Sequence, residues 1–162
     1  MNDFEQILTE IYFENDGETD LLTGALAPAR FNQIVKREID LSKRSKEKLA
    51  MISIAIEPQN LIQNNSIKVD LDQQVLLVEE LLIESYFQIK RALRDVDCVC
   101  RVSKLGFWIL AKLTTQSDSG VLVNRIKALI NEKSIISVID YVPEDLLLQW
   151  YERIDQQHFR QI

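Results

Sequence analysis

Histidine and cysteine are almost missing from these 162 residues: there is one histidine, His158, and there are two cysteines, Cys98 and Cys100. A structural zinc site needs three or four converging ligands of these types, so the inventory argues against one. A Cys/His nucleophilic pair would need His158 to fold back on a distant thiol, and the local sequence gives no sign of that. The two cysteines alternate within an apolar stretch, so both point to one face of a strand and cannot readily bridge each other. They read as small buried residues in a reducing compartment. Positive charge is also short, with 19 basic against 25 acidic side chains and a formal net charge of -6. That excess opposes non-specific binding to nucleic acid or to an anionic membrane. Residues 1–19 hold no basic side chain at all, whereas a secretory signal begins with one. Apolar runs such as Val75 to Val78 fall far below the length that crosses a bilayer. The expectation is a cytoplasmic chain with neither nucleic acid nor membrane as partner.

What is present is 46% hydrophobic content, enough to close one core. Phe4, Ile7, Leu8, Ile11 and Tyr12 recur at helical spacing and form an apolar stripe over residues 1–19, which needs a surface to lie on. That surface is either the chain's own domain or a second copy. Asn15-Asp16-Gly17 ends this helix with turn chemistry, and residues 20–162 form the remaining domain. Phe31, Ile34, Val35 and Ile39 predict a second helix with a solvated basic outer face. Leu49 to Ile56 reads as a mid-sheet strand covered on both sides and stopped by Pro58, and residues 59–70 as an irregular polar loop. Leu71 to Leu93 predicts a long, largely buried helix. Cys98 to Val102 and Phe107 to Leu113 stand at hairpin spacing. A helix through Val121 and Ile126, a strand from Ile135 to Val142, and a last helix opened by Pro143 complete the order. These elements describe an α/β or α+β fold in which helices flank a sheet.

Several segments, in order, resemble the GGDEF family across residues 20–160. Asp20-Leu21-Leu22-Thr23-Gly24 with Phe31 matches its Asp-x-Leu-Thr-Gly and following aromatic, although Ala27-Pro28-Ala29 replaces the usual Asn-Arg-Arg. Arg94, Asp97 and Arg101 fit Arg-x-x-Asp, three residues, Arg, and the hairpin follows at once. Ile154-Asp155 and Phe159 take the places of Ala-Asp and Tyr in the last helix, where Gln157 and His158 depart from the pattern. The resemblance implies a nucleotide-cyclase-like central sheet, largely antiparallel, flanked by helices. It also implies descent from diguanylate cyclases, in which two domains face each other, each holding GTP and Mg²⁺ or Mn²⁺.

The five residues that give the family its name are here Ser103, Lys104, Leu105, Gly106 and Phe107. Side chains replace the glycines that let backbone approach the nucleotide. Leu105 offers no oxygen to a hard cation and Gly106 has no side chain to serve as base or ligand. The family's other metal aspartate is replaced by Ala55, in Ala55-Ile56-Glu57-Pro58. The guanine-contacting acid of active members falls on Asp72 or Glu79; Glu79 is preferred, with the extra length of this chain placed in the 59–70 loop. The reading is therefore a degenerate domain with no catalytic residue, no metal and no cofactor. Arg94 and Asp97 are expected to bind cyclic di-GMP, because their spacing to the hairpin matches the family's inhibitory site, with Arg125 or Lys127 as a further cation. The competing role for the pair is structural, with Arg94 ending the long helix and Asp97 capping the turn. Other readings are a homodimerising or signalling-protein-binding module, and a divergent cyclase that holds one metal through Glu57.

Overall fold

The structure is a computed structural model that describes residues 3–64, 69–113, 118–130 and 134–160. Helices α1 (Asp3–Glu10) and α2 (Pro28–Ser45) precede strand β1 (Lys48–Ile56), which leads into helices α3 (Gln59–Asn64) and α4 (Leu71–Ala92). The hairpin β2 (Cys98–Arg101) and β3 (Gly106–Leu113) follows, then α5 (Asp118–Leu129), β4 (Ser134–Asp140) and α6 (Leu147–Arg160). The four strands form one sheet in the order β2-β3-β1-β4, and each neighbouring pair is antiparallel. This is the helix-flanked, largely antiparallel sheet expected from the sequence, with a short helix at its start.

The alternation of side chains along β1 explains the layering. Ala50, Ile52, Ile54 and Ile56 enter one apolar cluster with residues of α1, α4 and α5. Leu49 and Met51 enter another, with Phe31, Val35 and Ile39 of α2 and Trp150 and Ile154 of α6. A strand with a period of two and both faces covered must be apolar throughout, which is why β1 reads as a continuous run. Cys98 and Cys100 belong to the second cluster, on one face of β2 as their alternation requires.

The N-terminal stripe lies on its own domain. Ile7 and Ile11 are 0% and 3% exposed, and α1 rests against α4. Two element boundaries differ from expectation. Residues 59–64 form the short helix α3, because Leu61 and Ile62 dock on the first core cluster and the Ile62 amide donates to Pro58 O at 3.2 Å. Asn65 and Ser66, also placed in that loop, lie outside the described residues. Pro143 does not open the last helix. It sits in a turn closed by the Asp145 amide on Val142 O at 2.8 Å, and α6 begins at Leu147 after the Gln149 side chain accepts from the Leu146 amide. Ile154 is buried at the centre of α6, and the side chains of Gln157, His158 and Phe159 lie outside the described residues.

Candidate functional site

The β2–β3 hairpin turns through Ser103, Lys104 and Leu105, closed by the Val102 amide on Gly106 O at 3.0 Å. Leu105 O accepts from the Ile56 amide at 2.9 Å, and Ala55 stands opposite Gly106 in the sheet register. The hairpin tip and the end of β1 thus lie side by side. Neither Ala55 nor Leu105 carries an oxygen on its side chain, and Glu57 sits half-buried beyond β1. Among the described residues, no group of three or more His, Cys, Asp or Glu gathers as a metal site.

The cations of the hairpin face inward onto the N-terminal segment. Arg101 is fully buried and donates from one nitrogen to both oxygens of Asp20, each at 3.1 Å, and from another to Lys104 O at 2.9 Å. Its guanidinium also lies 4.9 Å from the centre of the Phe13 ring. Burial lowers the Arg101 pKa while the Asp20 charge opposes that shift. The Asp20 turn is built for this pairing: its Oδ2 accepts from the Thr23 amide at 2.9 Å and the Thr23 hydroxyl at 2.7 Å, and Gly24 adopts φ +83° to complete it. Lys104 reaches back to α1, and its Nζ donates to Leu8 O at 2.5 Å and Thr9 O at 2.9 Å. A cation on the last carbonyls of a helix meets the negative end of its dipole. Glu79 joins the same junction by accepting from the Tyr12 amide at 3.0 Å, while Asp72 is exposed in the first turn of α4.

Arg94 and Asp97 lie at the exit of α4, near the other end of the hairpin. The Asp97 side chain is 0% exposed and that of Arg94 is 44% exposed. Asp97 Oδ2 accepts from the Arg94 amide at 3.0 Å and Oδ1 from the Lys112 amide at 3.1 Å, so both oxygens hold backbone in place. The Arg94 guanidinium lies 3.5 Å from Asp97 Oδ2 and donates to Lys112 O. Lys112 in turn pairs with Glu38 of α2 at 2.6 Å. Arg125 from α5 donates to Ala92 O at 3.0 Å, which brings a second arginine to the C-terminus of α4. Lys127 lies in the last turn of the same helix, two positions beyond Arg125. The pairing of Asp20 with Arg101 and the reach of Lys104 to α1 were not anticipated from sequence. The only signal was that Asp20 and Arg101 each stand in a family-like motif.

Compared by sequence, the chain matches no family model and no curated protein. Compared by structure, it is similar to the diguanylate cyclase SiaD of Pseudomonas aeruginosa, solved with its activator SiaC, at a TM-score of 0.69 and 16% identity. That match covers 85% of this chain and 55% of SiaD, so the chain spans little more than half the length of that protein. The GGDEF domain of DgcB from Caulobacter crescentus, solved with c-di-GMP, gives 0.69 at 12% identity over 90% of each chain. A microbial GGDEF domain solved for its interaction with bis-(3,5)-cyclic di-GMP gives 0.73 at 14% identity over 88% of each. The fold is that of a GGDEF domain.

Proposed function

We propose that this GGDEF-fold chain is a non-catalytic signalling module that recognises cyclic di-GMP without making it. The observation that carries the first half is the donor set where a cyclase would hold its metal: Ala55 and Leu105 supply no oxygen, and the Lys104 ammonium next to Leu105 in the loop is bound to the Leu8 and Thr9 carbonyls of α1. A hard cation wants oxygen ligands, and phosphoryl transfer between nucleotides leans on such ions for charge neutralisation. These residues do not fit Mg²⁺ or Mn²⁺. Incubation of concentrated protein with GTP and either ion is expected to give no cyclic dinucleotide. Reproducible product that disappears in Glu57→Ala would instead establish the rebuilt, single-metal cyclase.

The second half rests on Arg94, the exposed member of its pair. A guanidinium fork can make paired hydrogen bonds to the O6 and N7 edge of guanine, and Arg125 stands at the same end of α4 to meet a phosphate. Asp97 supports this by fixing the loop that carries Arg94. A second reading, a module that only binds proteins, is favoured by the same carboxylate, because both Asp97 oxygens are already engaged by backbone amides. Titration with cyclic di-GMP separates the two.

A further inference from the structure

With the N-terminal stripe covered by the chain itself, the outer face of α4 presents an apolar surface to solvent. Leu76 and Phe87 are each 57% exposed, and Ile83 between them is half-buried. At 3.6 residues per turn, positions 76, 80, 83 and 87 fall on one line along the helix, so they form a continuous ridge. Glu80, Ile83, Glu84, Phe87, Gln88 and Arg91 share this solvent-open face of the helix. Its acidic groups stand at the N-terminal end and its arginine at the C-terminal end. Glu80 and Glu84 are like charges one turn apart, an unfavourable spacing, and Arg91 lies too far along the helix to relieve Glu80.

We propose that this face docks a second copy of the chain, with the two α4 helices antiparallel about a two-fold axis near their middle. Such an axis keeps each flank of the helix on the same side and reverses its direction. Glu80 of each copy then faces the other copy's Arg91, and the contact is made twice. With that register, the Ile83 and Phe87 side chains of both copies interleave at the centre, where an aromatic anchor contributes most. The surface is complementary to itself in charge. A parallel arrangement would instead set Glu80 beside Glu80 and Arg91 beside Arg91. Because the contact is one helix wide, it falls at the small end of protein interfaces, and half-association is expected at roughly 10–100 μM.

Sedimentation equilibrium of the full chain over that range, paired with thermal unfolding of each variant, tests the proposal. The parent is expected to dimerise reversibly. Phe87→Glu should weaken the dimer about tenfold or more, with the unfolding midpoint unchanged when parent and variant are both read well below the association range, where neither dimerises, because the ring is already more than half exposed. Glu80→Arg and Arg91→Glu should each weaken it, and the double variant should regain the parent's association, a rescue that general damage to the fold cannot produce. A parent that stays monomeric at about 1 mM, a concentration well above that range, overturns the proposal. So does a dimer indifferent to Phe87→Glu and to both charge reversals, which would place the contact on another face.

Discussion

Among individual residues, the most consequential is Arg101, a charge with no exposed surface whose neutralisation depends on Asp20, far away in sequence. Removing one partner of such a pair leaves the other charge buried and uncompensated. Asp20→Ala is accordingly expected to lose about 3–5 kcal/mol in chemical denaturation, whereas Asp16→Ala on the exposed turn nearby should cost far less. Equal losses would mean that the ion pair contributes no more than the turn. The cysteines are the opposite case, inert by burial. Burial, aided by the negative charges of Glu38 and Asp97, pushes the Cys98 thiol up to about 11; burial, with Asp20, pushes Cys100 to about 12. Neither is a thiolate at pH 8, so labelling by a thiol reagent should be slow in the native chain and fast once it is unfolded. The folded state holds these protons more tightly than the unfolded one. Stability therefore falls as pH rises above the ordinary thiol value of 9.0 toward those raised values. The cysteine placement was legible because alternation alone sets the face of a strand. The Asp20–Arg101 pair was not, since no local pattern says which distant charges will share a buried site.

Elements show where local pattern sufficed and where context decided. The continuous apolar run of β1, the hairpin spacing and the long α4 were all readable, since each is governed by periodicity or by loop length. The start of α6 was not. Pro143 is compatible with both a first helical turn and the second position of a β-turn, and the Val142–Asp145 hydrogen bond selected the turn. Nor was α3, whose two apolar residues gain helical form only by docking on the core. For α1 the sequence left two surfaces open, and Ile7 and Ile11 fill the one supplied by α4. The Lys104 tie has no counterpart in any local rule, because it joins the hairpin to carbonyls more than ninety positions away. Its removal gives the test at this scale. Lys104→Ala should weaken the hold on α1 by about 1.5–3 kcal/mol, the range for hydrogen bonds involving a charged group, and amide exchange in residues 3–12 should quicken while that of β1 stays as before. Unchanged exchange in α1 would show that Ile7 and Ile11 hold the helix without help.

For the whole molecule, the fold is that of a GGDEF domain, and the hairpin tip lies beside the end of β1 within it. The hairpin loop ties α1, the Asp20 turn and the sheet together through Arg101 and Lys104. At the far end of the hairpin, Arg94 remains exposed on a loop fixed by Asp97, with Arg125 at the end of the neighbouring helix. Of the candidate site, the adjacency of Arg94 and Asp97 at the end of the long helix was legible, because three positions separate them in the sequence. The geometry was not, because which carboxylates face solvent depends on packing. Binding without synthesis is the claim that joins these observations, and calorimetric titration of the full chain with cyclic di-GMP tests it most directly. The account predicts saturable heat with half-saturation at or below tens of micromolar, about 10⁻⁵ M, and its loss in Arg94→Ala while that variant's unfolding transition remains cooperative. No heat from the parent at that concentration, or undiminished binding by Arg94→Ala, would contradict it.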